Sequence, residues 1–253
     1  MRLAMYLSVN ELVYEEYYLL ANRVLRVWVV KSVVLKVSGK IINPDNPQLV
    51  SGYARVIKRL VDEGNRFVIV VGGGSYARKY VECARSLGLG EGVADSLGIE
   101  VSRVNALLLS YALGDYAYRP IPRSIEDVEE AWSSGKVVVL GGLQPGQSTS
   151  GTAAVVAEVL GIKLMLYATD VDGIYDRDPK RYPNAKRLDV VRISDLPKVL
   201  EQGFEAGRYE LLDPVAMGVL KRAGIEVVVF NGFDPENVEK ALRGAIGTRV
   251  VPE

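Results

Sequence analysis

The strongest constraint on the fold is a rhythm of short apolar runs. Val33–Val37, Phe67–Val71, Val137–Leu140, Leu164–Ala168 and Val227–Phe230 are separated by stretches with helical periodicity. The runs are β-branched and near-continuous rather than alternating, as strands covered on both faces must be. The expected helices are Leu49–Glu63, Tyr76–Leu87, Ser102–Leu113, Ser124–Ser133, Thr152–Leu160, Ser194–Gln202, Pro214–Arg222 and Pro235–Arg243. Asp213-Pro214 reads as an N-cap followed by proline at the first helical position. Gly64, Gly135, Gly161 and Gly224 stand where a left-handed residue closes a helix. Strand–helix alternation at this spacing predicts an α/β fold, a parallel sheet with helices on both faces.

Composition narrows the chemistry. The 253 residues suit one large α/β domain or two small ones. The sequence has no histidine, which removes histidine general bases, Ser-His or Cys-His catalysis and His-based metal ligation. Cys83 is the single cysteine, so neither an internal disulfide nor a Cys-based zinc site is possible. Catalysis is left to Lys, Arg, Asp, backbone N–H groups and Mg²⁺. Lys plus Arg balances Asp plus Glu at 31 each, which argues against a nucleic-acid partner. No apolar run is long enough to span a bilayer. Met1–Val9 lacks a signal peptide's apolar region. The expectation is a soluble cytoplasmic protein.

Residues 1–30 stand outside the rhythm. Val13, Tyr17, Leu20, Val24 and Val27 recur at steps of four and three, one apolar face of a helix. The expected role is a helical extension packed on the body or on a neighbouring subunit.

Two glycine-rich turns carry the chemistry. Gly72-Gly73-Gly74-Ser75 follows one apolar run, and Gly141-Gly142-Leu143-Gln144-Pro145-Gly146-Gln147-Ser148-Thr149 follows another. A strand ending in glycines and leading into a helix presents backbone N–H groups to phosphate. Two such cradles imply a phosphoryl donor and an acceptor. Lys36 lies inside the first apolar run, where a lysine is costly unless it reaches an anion at the strand's carboxyl end. Gly39 then allows close backbone approach to a phosphate, and Arg78 adds a charged contact early in the following helix. The competing motif readings are weaker. Gly72-x-Gly74-x-x-Ala77 fits a relaxed dinucleotide fingerprint but lacks the ribose-binding acid. Gly141-x-x-x-x-Gly146 has P-loop spacing, but Gln147 replaces the lysine. Asp170-Val171-Asp172-Gly173 lacks the remaining acids of a calcium loop. Thr169, Asp170, Asp172, Tyr175, Asp178 and Lys180 converge instead after the Leu164–Ala168 strand, where open α/β sheets bind ligands.

Leu35-Lys36-Val37-Ser38-Gly39-Lys40, Val71-Gly72-Gly73-Gly74, Thr169–Tyr175 and Asp178-Pro179-Lys180, in this order, resemble the amino acid kinase superfamily. Ala77-Arg78-Lys79-Tyr80, Leu97-Gly98-Ile99 with Asn105-Ala106, Gln144–Thr149 and Tyr209–Pro214 are similar to the archaeal branch of its uridylate (UMP) kinases. The resemblance covers residues 31–253. It implies a three-layer α/β/α sandwich with a mainly parallel sheet. The half about 31–160 would bind the acceptor, and the half about 161–253 would bind ATP. Carried over by position, Gly73, Asp95 and Leu143, Gln144, Pro145, Gly146, Gln147, Ser148 and Thr149 resemble UMP contacts. Gly39, Lys40, Gly74, Arg78, Thr169, Tyr175 and Asp178 resemble ATP contacts. Lys36 and Lys180 resemble the lysines flanking the transferred phosphoryl group, with Arg181 as a substitute for Lys180. Mg²⁺ would arrive on ATP rather than in a protein cage. Many relatives place an acid after the threonine of the second loop, thought to orient the lysines. Ser150 stands there, so the arrangement of Lys36 and Lys180 is the open point. The resemblance also implies a hexamer built from dimers. The alternatives are another kinase of the superfamily, acting on carbamate or an acetylglutamate-like carboxylate, or a catalytically silent nucleotide sensor.

Overall fold

Every one of the five apolar runs forms a strand. The computed structural model describes residues 31–177, 182–203 and 212–252. The strands are β1 (Ser32–Val37), β2 (Arg66–Val71), β3 (Val138–Leu140), β4 (Leu164–Thr169), β5 (Val190–Arg192), β6 (Glu226–Asn231) and β7 (Thr248–Val251). They form one sheet in the order β3-β2-β1-β4-β6-β7-β5. All neighbours run parallel except the antiparallel pair β6 and β7. The helices are α1 (Pro47–Asp62), α2 (Gly74–Ser86), α3 (Glu91–Leu113), α4 (Ile125–Ser133), α5 (Thr149–Val159), α6 (Leu196–Gly203), α7 (Pro214–Ala223) and α8 (Asn237–Leu242).

Side-chain alternation along β1 divides the core into two layers. Val33, Leu35 and Val37 face one side, with Tyr53, Ile57 and Leu60 of α1, Leu109 of α3 and Val238 of α8. Val34 faces the other, with Ala131 of α4, Ala153 and Val156 of α5 and Leu220 of α7. The sandwich is thus helix–sheet–helix, and both faces of β1 are buried. Burial of each such Val, Leu, Ile or Phe side chain contributes about 1.5–3 kcal/mol. Local chemistry sets several helix ends. Ser124 and Asp127 form a reciprocal capping box at the start of α4. Asp213 caps α7 through the Ala216 N–H, Pro214 follows it, and Gly224 closes the helix in the left-handed region.

The structure corrects the sequence reading in three places. β5 and β7 are additional strands, and β7 makes the sheet mixed. The helix expected from Ser102 begins at Glu91, so Asp95 lies on α3. α5 starts at Thr149, three residues earlier than its periodicity indicated. The expected helical extension at residues 1–30 falls outside the described residues.

Candidate active site

The parallel strands end in register. Val37 of β1 is level with Val71 of β2 and Ala168 of β4, and Thr169 is level with Asn231 of β6. Five chain segments therefore leave the sheet along one edge: Ser38–Lys40, Gly72–Gly74, Gly141–Ser148, Asp170–Tyr175 and Gly232. β1 lies inside the sheet between β2 and β4, so Lys36 is not an edge-strand lysine reaching solvent.

Glycines let the first two segments touch. A Cβ on Gly39 would collide with the Gly72 carbonyl and the Gly74 nitrogen, and Gly74 holds φ at +64°. Only residues without a side chain permit this contact. The Gly72 N–H donates to the Val37 carbonyl at 2.9 Å. A Cβ on Gly72 would lie 3.5 Å from Thr149 Oγ1, so the second glycine-rich loop ends against the first turn. The two cradles are contiguous. Gly73 and Gly74 open α2, whose N-terminal N–H groups and dipole favour anions. Arg78 is exposed on the same helix.

Lys36 is 6 % exposed. Its Nζ donates to the Tyr167 hydroxyl at 2.8 Å and lies 4.1 Å from the centre of that ring. Lys40 forms an ion pair with Asp170 at 2.6 Å. Partial burial pushes the Asp170 carboxyl up, but hydrogen bonding and charge from Lys40 outweigh it and hold the carboxyl below its ordinary value. The buried Thr169 hydroxyl donates to the other Asp170 oxygen at 3.2 Å.

The second loop is held from three sides. Asp95 on α3 accepts from the Gly146 N–H at 2.8 Å. Ser148 caps α5, its hydroxyl oxygen accepting from the Ser150 and Gly151 N–H groups at 3.0 Å. The same hydroxyl donates to Asp213, the cap of α7, so two helix starts are tied together. Gln147 accepts from the Thr152 hydroxyl at 3.2 Å. Leu143, Gln144, Pro145 and Gly146 lie at the surface, Leu143 in part.

α3 supplies supporting residues that the sequence reading did not place in the site. Ser102 Oγ accepts from the Gly142 N–H at 2.8 Å. Arg103 donates to the Gly142 and Leu143 carbonyls at 3.1 Å each. Asn105 donates to the Gly72 carbonyl at 3.0 Å. Ser102 and Asn105 are buried, and polar residues at core positions of a helix were the available signal.

Beyond β4, Tyr175 lines a hollow of about 450 Å³ with Asp172, Asn231, Asn237 and Lys240. Thr248 of β7 secures this segment, its Oγ1 accepting from the Ile174 N–H at 2.8 Å. A second hollow, about 920 Å³, is lined by residues of α1 and α3 and by none of the glycine-rich turns. Asp178, Lys180 and Arg181 lie outside the described residues. Among the described residues, no group of three or more His, Cys, Asp or Glu could hold a metal ion, and no helix is long and apolar enough to cross a membrane.

A buried lysine on a central strand, with two glycine-rich turns after the neighbouring strands β2 and β3, marks a phosphotransferase of one particular architecture. The chain belongs to the amino acid kinase family, whose signature matches residues 31–231. Within it, the chain is 52 % identical to a uridylate kinase of Hyperthermus butylicus over 212 residues, 84 % of this chain and 94 % of that one. It is 45 % identical to a uridylate kinase of Sulfolobus acidocaldarius, covering 87 % of this chain and 98 % of the relative. The fold is similar to the crystal structure of uridylate kinase from Archaeoglobus fulgidus, with a TM-score of 0.78 and 34 % identity over 87 % of this chain and 99 % of that chain.

Proposed function

We propose that the chain transfers the γ-phosphoryl group of ATP to UMP, giving ADP and UDP. The observation that carries this reading is the proximity of the two glycine-rich turns, with Thr149 Oγ1 3.5 Å from where a Cβ on Gly72 would stand, and the burial of Lys36 on the adjacent strand. The reaction brings two anions together, and the acceptor phosphate is already ionised near neutral pH. No general base is required, which suits a chain without histidine. The work left to the protein is positioning and electrostatic stabilisation.

In this reading Asp95, Gly73 and Leu143–Thr149 hold UMP. Gly39, Lys40, Gly74, Arg78, Thr169, Tyr175 and Asp178 hold ATP, with the nucleoside toward the Tyr175 hollow. Lys36, on the strand between the two sides, meets the transferred group, with Lys180 or Arg181 as the second cation. Asp170 is engaged by Lys40. Mg²⁺ would arrive on the ATP phosphates and would supply charge neutralisation there. We read the protein as cytoplasmic and as a homo-oligomer, hexameric by resemblance, with native mass as the check.

An acceptor screen with ATP and Mg²⁺ tests the reading. UMP should be phosphorylated far faster than acetylglutamate or carbamate. Preference for a carboxylate or carbamate, or no turnover on any acceptor, would overturn it.

A further inference from the structure

We propose that Tyr167 is a positioning residue for phosphoryl transfer, fixing the Lys36 ammonium through its hydroxyl and its ring. The inference rests on the catalytic role proposed for Lys36. Lys36 and Tyr167 are cross-strand partners in the parallel pairing of β1 with β4. The register therefore puts both side chains on the same face of the sheet, and both are nearly fully buried, at 6 % and 5 % exposure. A lysine ammonium has three donors and a long flexible stem, so burial alone does not orient it. Among the described residues its one hydrogen bond goes to the Tyr167 hydroxyl at 2.8 Å. The ring adds a second attraction, with its centre 4.1 Å from Nζ.

The chemistry of this acceptor matters. A carboxylate in the same place would orient the lysine but also cancel its charge. A hydroxyl is an acceptor that brings no carboxylate charge, so it orients the ammonium and leaves its attraction for phosphate in place.

The test is a double-mutant cycle read in single-turnover and steady-state kinetics. Tyr167→Phe keeps the ring and the volume and removes only the acceptor. Deleting a hydrogen bond to a charged group predicts a fall in kcat of about tenfold or more, with KM for ATP and UMP changed less than about twofold. Lys36→Ala should lower kcat by about 100-fold or more. The hydroxyl's effect should then vanish in the Lys36→Ala background, because Tyr167 acts through the ammonium. A tenfold loss that persists without Lys36 would show a merely structural role and overturn the proposal. A Tyr167→Phe enzyme with unchanged kcat would also overturn it while leaving the Lys36 reading intact. If Lys36→Ala itself keeps nearly full kcat, the Lys36 reading falls and takes this one with it. Tyr167→Met provides a second, smaller variant that lacks both hydroxyl and ring, judged by the same loss of effect in the Lys36→Ala background, should the Phe variant not fold.

Discussion

Gly39→Ala should damage both stability and turnover, and the structure sets the scale. The added Cβ would sit 2.6 Å from the Gly73 carbonyl carbon, and closer still to the Gly72 oxygen and the Gly74 nitrogen. All three are backbone atoms, so no side chain can swing aside. Restoring ordinary contact requires the two turns to separate by about 1 Å, a displacement that costs roughly 100-fold in rate when it falls at a reacting centre. Overpacking of this kind destabilises by about 2–3 kcal/mol, or about 5–10 °C in Tm for a domain of this size. The assay pairs a thermal melt with kcat/KM for ATP. Gly92→Ala is the control. Gly92 lies inside α3, and a Cβ there meets no atom within 4 Å. That change should stabilise by about 0.5–1 kcal/mol, because alanine loses less backbone freedom than glycine in a helix. A Gly39→Ala protein with wild-type melting and turnover would refute the reasoning.

Asp95→Ala removes the acceptor of the Gly146 N–H and a carboxylate proposed to contact UMP; KM for UMP should rise about tenfold with KM for ATP nearly unchanged, and equal effects on both would remove the assignment. Asp213→Ala strips the cap from α7 and frees the Ser148 hydroxyl; stability should fall by about 1–2 kcal/mol and KM for UMP should rise, whereas a lower Tm with unchanged KM would make the link structural only. Asp170 is held below its ordinary value in the folded state, so its contribution is complete above about pH 4 and is lost as pH falls through the depressed value. Wild type and Asp170→Asn should therefore differ by at most about 1 kcal/mol near neutrality, the pair being more than a third exposed, and the gap should close in acid; a gap constant across denaturation curves from pH 7 to 2 would refute the linkage.

What was readable in advance follows from burial. β1, β2, β3, β4 and β6 are covered on both faces, so their sequences are nearly unbroken apolar runs. β5 and β7 are short and incompletely covered, with Val191 buried between exposed neighbours and Val250 between exposed Arg249 and half-buried Val251. Three- and four-residue strands of that kind carry too little pattern to detect. The start of α3 was hidden because Gly88, Gly90 and Gly92 read as a loop. Tertiary packing overrides that preference: a Cβ on Gly73 would approach the Gly98 carbonyl to 3.2 Å, so α3 lies tight across the first glycine turn. The glycine turns announced where the site lies. Their hydrogen-bonded support from Ser102, Arg103 and Asn105 did not show, because it depends on contacts between residues some 30 to 40 positions apart. Nor did the Lys36–Tyr167 pairing, which only the register of β1 against β4 creates.

The strand order has a consequence for how the protein is made. Among the described residues β5 pairs with β7 alone, through Val190 against Arg249, and β7 in turn joins it to β6. During translation, β1, β2, β3 and β4 emerge in time to pair with one another, but β5 leaves the ribosome long before the one strand it pairs with. It must wait, unpaired, until residues 248–251 have been synthesised. Because Thr248 of β7 also secures the segment around Ile174, the far side of the site takes shape late in synthesis, well after the glycine turns can have met. A nascent chain stalled before β7 should therefore show protease protection across β1 to β4 and cleavage around residues 170–195.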